Sequence, residues 1–331
     1  MSELEETLKQ DVINEEQRDK ERSSIDRLFK DIKDYTTGPE FLKKLQFYTQ
    51  FPYLGAYNAA LVAEQRPGAR FVLTAREWKR RGRKIKHNAR PVMILLPFYP
   101  VEFLFDVSDT DPIFESAYDN EIIEDIIHEH LSSCSFSPSY YWENLYNNMP
   151  KFGISHNTNY HVGALIQAET IASHSVHIRV RALKNFVVNY KSNFIISIDS
   201  KADQVEALAL TFHELAHLFC HHINHNWWKD RLCTTEEKEF EAETVAFLVC
   251  RRLDIDYNPV KYLAGYVDVD CKIPDISLDS VFRAVDLIEQ MSKEHMGINS
   301  CFLYKFDETF RQIVNEERER RNRNKKRQQS L

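Results

Sequence analysis

Two histidines and a glutamate form the pattern in this chain that is best suited to chemistry. His213, Glu214 and His217 stand in the sequence His-Glu-Leu-Ala-His. On a helix, residues four positions apart share a face, so the two imidazoles can coordinate one Zn²⁺ ion at roughly 2.0–2.1 Å. Glu214 would lie beside the ion, where it can take a proton from zinc-bound water and return it to a leaving amine. The pattern predicts a catalytic zinc site, with two ordinary surface histidines on a helix as the alternative.

A catalytic zinc ion needs a third protein ligand and an open position, and that ligand should come from a neighbouring helix. Residues 236–248 have helical spacing, and one face of this helix would carry Glu239, Ala242, Glu243 and Ala246. We expect Glu239 to be the third ligand. Glu243 would accept the outer N–H of a ligating histidine and so fix the orientation of its ring. The roles of these two glutamates could be exchanged.

Three further residues also have expected roles. Glu241 lies far from the face that carries Glu239, so we expect it to be solvated. His221 stands one turn beyond His217, and we expect it to cap the helix or to be partly buried rather than to act as a fourth ligand. Tyr262 is a candidate for stabilising an oxyanion.

A basic segment stands far from these residues in the sequence. Nine Lys and Arg residues lie between positions 70 and 90 against one Glu, a local net charge of +8 in a chain whose formal net charge is -7. Such segregation suits contact with a phosphate backbone, and an aromatic side chain within it could stack on unpaired bases. The predicted DNA-binding residues are Arg70, Trp78, Lys79, Arg80, Arg81, Arg83, Lys84 and Lys86. The alternatives are a core position for Trp78 and a solvated face for the charges.

The composition predicts a folded protein in a reducing compartment. Of its residues, 43% are hydrophobic and 28% are charged, as in ordinary globular proteins. The length of 331 residues predicts about two domains. No apolar run approaches the roughly 18 residues that span a bilayer, and the acidic start does not resemble a secretion signal. The cysteines form no C-x-x-C pair, which argues against a disulfide framework and against a thiolate zinc site. We therefore expect a cytoplasmic protein that has no membrane partner.

The spacing of apolar residues predicts an α+β protein, in which a small N-terminal α+β domain precedes a largely helical domain. The basic segment lies in the first of these, which we therefore expect to be a nucleic-acid-binding domain. The predicted divisions are a charged helix or extension at 1–34, the nucleic-acid-binding domain at 35–111, an acidic linker at 112–139, the domain with the metal site at 140–297, and a C-terminal helix with a basic tail at 298–331.

Several stretches resemble known families. Residues 211–222, Thr-Phe-His-Glu-Leu-Ala-His-Leu-Phe-Cys-His-His, and the Glu-Phe-Glu-Ala-Glu that begins at Glu239 are similar to the zincin-like metallopeptidase domain of the ImmA/IrrE and ArdC antirestriction families. Further matches to ArdC are Asn58 to Leu61, Gln65 to Pro67, Trp78, Gly82-Arg83, Asp106 to Thr110 and Tyr262 to Tyr266. The resemblance covers roughly residues 40–110 and 190–290. It implies a zincin-like second domain with Glu239 as a zinc ligand, after a first domain that binds single-stranded DNA.

These observations predict a zinc-dependent metallopeptidase-like protein that binds single-stranded DNA and cleaves a polypeptide, which could itself be bound to DNA. One alternative is an antirestriction protein of a mobile element that protects DNA and whose zinc site is structural or idle. Another is an ImmA-like protease that cleaves a DNA-bound repressor.

Overall fold

The computed structural model describes residues 38–96, 101–114, 119–160, 163–168, 175–180, 183, 186–229, 231–257 and 273–329. Helices and small sheets are combined within them, which confirms the predicted α+β class. The predicted extension at 1–34 and Tyr262 lie outside the described residues. Among the helices that are described, none is long and apolar enough to cross a membrane.

The elements are named in chain order. The helices are α1 Gly38–Tyr48, α2 Ala56–Gln65, α3 Ala75–Arg80, α4 Asp119–Ser132, α5 Pro138–Asn148, α6 Gln204–Phe219, α7 Thr235–Arg252, α8 Leu278–Lys293, α9 Phe302–Phe306 and α10 Glu308–Gln329. The strands are β1 Val72–Thr74, β2 Arg83–Ile85, β3 Val92–Ile94, β4 Glu102–Asp106, β5 Thr110–Pro112, β6 Ile154–Tyr160, β7 Ala164–Ala168, β8 Ser175–Val180, β9 Phe186–Lys191 and β10 Phe194–Asp199.

The chain divides into two compact units. Of the described residues, 38–133 and 273–283 belong to the first unit, and 134–257 and 284–329 belong to the second. The division therefore falls within α8.

A three-stranded sheet is the centre of the first unit. Its middle strand, β4, pairs antiparallel with β1 and β3. Successive residues of a strand point to opposite faces. Leu104 accordingly packs with Val62 and Val92 on one face, while Phe105 packs against the cluster around Trp78 on the other. Both faces of the sheet are thus used for burial.

Two amide side chains from α2 cover the outer edge of β3. Asn58 donates to the carbonyl of Leu95 at 2.9 Å and accepts from its N–H at 3.1 Å. Gln65 makes the same pair of bonds to Met93, at 2.7 and 2.9 Å. An end strand otherwise presents unpaired N–H and C=O groups to other chains. Asn58 and Gln65, which belong to the stretches that resemble ArdC, therefore have a structural role here.

The prediction of an acidic linker at 112–139 is wrong for most of that range. Helix α4 occupies its middle, and Ile123, Ile126 and Ile127 of this helix pack against the cluster that contains Trp78. The acidic residues are compatible with this helix because the apolar spacing of i, i+3 and i+4 still gives it one face for burial.

In the second unit, a sheet of three strands supports the helix with the histidines. Its order is β6-β10-β7, with β10 parallel to β6 and antiparallel to β7. Helix α6 packs on β7 and β10 and lies against α7.

The second unit also includes the C-terminal helix, contrary to the predicted division at 297/298. Phe310 and Val314 of α10 are buried in one cluster with Val176 and Ile178 of the β8–β9 hairpin. The predicted basic tail is the end of this same helix, which continues to Gln329. An apolar stripe in its first turns anchors a segment whose later turns are almost entirely polar.

Candidate metal centre

Capping and burial fix the position of the helix with the two histidines. The Asp203 carboxylate accepts bonds of 2.9 Å from the backbone N–H groups of Val205 and Glu206, which satisfies free donors at the start of α6. The buried residues of this helix include Leu208, Phe212, Leu215 and Phe219. His213 and His217 are left partly exposed at one edge of this buried surface.

Helix α7 brings a carboxylate to the two imidazoles. Nε2 of His213 lies 3.0 Å from Nε2 of His217. The two oxygens of Glu239 lie 3.5 Å from the His213 nitrogen and 3.7 Å from the His217 nitrogen. The two Nε2 atoms and the Glu239 carboxylate, which come from two helices, thus form a compact triangle, as the sequence predicted from the spacing on each helix.

The size of this triangle fits a zinc ion. Ligand atoms about 2.1 Å from a tetrahedral zinc ion are roughly 3.4 Å apart. The nitrogen–nitrogen distance of 3.0 Å, and the distances of 3.5 and 3.7 Å from these nitrogens to the two carboxylate oxygens, are close to that value. Two imidazoles and one carboxylate also form the donor set of a known class of catalytic zinc sites, which keep a fourth position open. His213, His217 and Glu239 therefore match zinc in both donor type and spacing.

Glu214 is held beside the triangle by the neighbouring strand. Its side chain is 6% exposed, and it accepts a bond of 2.7 Å from the backbone N–H of Ile166 in β7. Burial raises the pKa of Glu214, while the imidazoles of His213 and His217 oppose that rise. A carboxylate with a raised pKa next to a metal site has the properties of a general base. The Ile166 donor could not be predicted, because a backbone group leaves no mark in the sequence.

Glu243 contacts the outer nitrogen of one histidine. Its Oε1 lies 3.2 Å from Nδ1 of His213, on the side of the ring away from the triangle. Burial alone would lower the pKa of His213, but the bonds to Glu239 and Glu243 raise it to about 10. The nearby imidazoles, first of His213 and then of His217, lower the pKa of the Glu239 carboxyl. The exchanged assignment, with Glu243 in the triangle, does not match these contacts.

The expectation that Glu241 is solvated is wrong. Its side chain is completely buried, and its carboxylate lies 2.8 Å from Nε2 of His222. Arg231 donates to both oxygens at 2.7 and 2.8 Å, which supplies the partner that a buried carboxylate requires. Val245 and Leu248, four and seven positions along α7, are buried on the same face. That apolar spacing was the signal in the sequence that Glu241 lies inside.

Two of the predicted DNA-binding residues are buried. Trp78 is 1% exposed, and its indole N–H donates to the carbonyl of Phe105 at 2.8 Å. Arg83 is also buried, where its guanidinium bonds to Thr110 at 2.7 Å and to Asp119 at 2.5 Å. Neither side chain can reach a nucleic acid, so both predictions are wrong. Their physical role is to join α3 and β2 to the rest of the first unit.

The remaining basic residues divide into two groups. The first group has partners within the unit. Arg70, although exposed, pairs with Glu124 at 2.6 Å, and Lys86 donates to the carbonyl of Ser108 at 2.8 Å. Arg81, partly exposed, has a nitrogen 3.3 Å from His130. Exposed positions are occupied by Lys79, Arg80 and Lys84. These last three form what we call the α3–β2 basic surface.

Comparison with known proteins identifies no family for this chain. The chain matches no family model, no curated protein and no solved structure. The resemblance to the ArdC and ImmA/IrrE families therefore stays a prediction, as does the role of Tyr262.

Proposed function

We propose that this protein is a zinc-dependent metallopeptidase. The observation that supports the proposal most is the convergence of His213, His217 and Glu239 at zinc-ligand spacing, with the buried carboxylate of Glu214 next to them. A bound zinc ion would polarise the scissile carbonyl and lower the pKa of water at its open position.

The protein's own groups would supply the remaining chemistry. Glu214, in its ionised form, accepts a proton from the attacking water and donates it to the leaving amine. The bond from Ile166 holds this carboxylate in place while it exchanges protons. Glu243 orients the His213 ring through its outer nitrogen, so that Nε2 points into the triangle.

A peptide library with mass-spectrometric detection tests this activity without a known substrate. The zinc-loaded wild type is compared with Glu214→Gln, a change that removes the base and keeps the size of the side chain. We expect cleavage by the wild type to fall by roughly 10²–10⁴-fold in the variant, with equal zinc content. Equal cleavage by both proteins, or none by a fully zinc-loaded wild type, would contradict the proposal.

We further propose that the first unit binds single-stranded DNA through the α3–β2 basic surface. The support is the concentration of positive charge at 70–90 in an acidic protein. Lys79, Arg80 and Lys84 are among the residues of this segment that are exposed. The polypeptide substrate could then be a DNA-bound protein such as a repressor. The same mass-spectrometric assay can be run with a DNA-binding protein as the substrate, with and without single-stranded DNA. Faster cleavage with the DNA would indicate that the DNA recruits the substrate, and equal cleavage would indicate that the two activities are independent.

The rival proposal is an antirestriction protein whose zinc site does no chemistry. Both proposals include zinc binding, so a variant of the proposed general base, Glu214, is needed to distinguish them. If Glu214→Gln protects single-stranded DNA from a nuclease as well as the wild type does, protection is independent of proteolysis. A loss of protection in that variant would instead link the two activities.

A further inference from the structure

The two histidines of the triangle differ in what contacts their outer nitrogens. For His213 that group is the carboxylate of Glu243. For His217 it is another imidazole, because Nδ1 of His217 lies 3.0 Å from Nδ1 of His222. The contacts continue from His222 to Glu241 at 2.8 Å and from Glu241 to Arg231 at 2.7 and 2.8 Å.

The end of α6 places His222 in this position. His221 has a φ of 60°, in the left-handed region. The N–H of His222 then bonds back to the carbonyl of His217 at 2.9 Å, and that of His221 bonds to Leu218 at 3.1 Å. These are the two bonds of a Schellman motif, in which the left-handed residue is most often glycine. A strained backbone conformation thus folds His222 against His217, and such strain is often found at functional sites.

The contacts allow a single arrangement of hydrogens when His217 is a metal ligand. His217 would bind through Nε2, the nitrogen that faces His213, so its Nδ1 must carry a hydrogen. Nδ1 of His222 must accept that hydrogen, which leaves the hydrogen of His222 on Nε2. That nitrogen donates to Glu241, whose oxygens act as acceptors because Arg231 donates to both. Every donor along the series meets an acceptor.

We propose that His222, Glu241 and Arg231 are positioning residues that fix the tautomer and orientation of His217 for metal binding. The inference rests on the proposed metal site and adds to it a connected series of side chains beyond the ligands. His222 and Glu241 have side chains that are 1% and 0% exposed, so water does not compete for these bonds. For His217 an imidazole thus takes the place of the carboxylate that contacts the outer nitrogen of His213.

The same residues could also be considered as a second metal site. Cys220, His222 and Glu241 have potential ligand atoms within 4.8 Å of one another. The guanidinium of Arg231 opposes this interpretation, since it already occupies both oxygens of Glu241 with positive charge. The proposed role of His222, Glu241 and Arg231 therefore predicts one bound zinc ion per chain rather than two.

Zinc affinity and histidine NMR test the proposal on the full chain. His222→Phe keeps a buried ring and removes both nitrogens, and Glu241→Gln keeps the size of the side chain and removes its charge. We expect each to lower zinc affinity by roughly 10–100-fold, measured by competition with a chelating dye. In long-range ¹H–¹⁵N spectra, the Nδ1 hydrogen of His217 should be protected in the wild type and should exchange with solvent in both variants.

The controls separate this proposal from the one on which it rests. His221→Gly keeps the Schellman motif and should leave zinc affinity and the His217 signal unchanged. If His222→Phe and Glu241→Gln are folded by circular dichroism, bind zinc like the wild type and leave the His217 signal unchanged, the proposed positioning role is overturned. A wild type with two zinc ions would also overturn it, whereas one with no zinc would overturn the proposed function itself. If His222→Phe does not fold, Glu241→Gln carries the test.

Discussion

At the scale of single residues, burial decides what Glu214 can do. The ionised carboxylate is the form that accepts a proton, and burial raises the pKa of this group. Because a raised pKa keeps the group protonated to a higher pH, the active form is lost earlier as the solution is acidified. The strand beside it, through the Ile166 N–H, keeps the carboxylate in place in either form.

This environment predicts the acidic limb of the pH–activity profile. An ordinary glutamate titrates at a pH of about 4.3. As the pH is lowered, peptidase activity should begin to fall before that pH is reached, measured as kcat/KM with the zinc content checked at each pH. A profile that remains flat down to that pH would show that Glu214 is not the base. Glu214→Gln provides the baseline, since its residual activity should lack this limb.

The sequence was sufficient to predict which residues come together in the triangle. Both helices are regular, so the spacing of residues along each helix determines which of them share a face. The same reasoning was wrong for Glu241. A helix with only one buried face would expose this residue, but α7 is buried around most of its circumference from Phe240 to Cys250. His222 was also missed as a neighbour of His217, since the left-handed residue before it cannot be inferred without a glycine.

At the scale of elements, side chains that cap a strand edge stabilise the first unit. The two bonds from Asn58 to the Leu95 backbone replace a strand partner for β3. Hydrogen bonds of this kind contribute about 0.5–1.5 kcal/mol each to stability. Loss of these bonds should therefore destabilise the structure locally, at the strand edge that they cover.

Hydrogen exchange tests the contribution of this edge. Asn58→Ala should speed exchange of the Leu95 amide by roughly two- to tenfold, the equivalent of about 0.5–1.5 kcal/mol, because the N–H loses its acceptor. Asn88→Ala changes an exposed turn asparagine and should leave this amide unaffected. Equal exchange rates in the wild type and Asn58→Ala would mean that the bond does not protect β3.

Helix α4 shows where composition misleads about elements. Its many acidic residues suggested a linker, yet Ile123, Ile126 and Ile127 alone give it enough of an apolar face to pack. Periodicity was the better guide than charge. Helix α10 gives the same lesson, since its basic end predicted a tail, whereas the buried Phe310 and Val314 show that the helix belongs to the second unit.

At the scale of the whole molecule, charge is distributed unevenly along an acidic chain. The structure removes Trp78 and Arg83 from the predicted DNA contact and leaves Lys79, Arg80 and Lys84 exposed. An electrostatic contact without a stacking aromatic should depend strongly on salt.

A salt series with single-stranded DNA tests this surface. Lys79→Gln combined with Arg80→Gln should weaken binding and reduce the slope of log K against log salt by about 1.4, since each phosphate contact contributes about 0.7. The matched control, Lys201→Gln with Lys229→Gln, removes two exposed lysines of the second unit. If both double variants lose affinity equally, or neither does, the α3–β2 basic surface is not the binding site.

Zinc content is the most direct measurement of the central claim, that two helices bring His213, His217 and Glu239 to one ion. Mass spectrometry of the dialysed wild type should find one zinc ion per chain, and Glu239→Ala should lose it. Glu236→Ala, an exposed glutamate one turn earlier in α7, should retain it. A wild type without zinc, or a Glu239→Ala variant that keeps a full equivalent at unchanged affinity, would contradict the account.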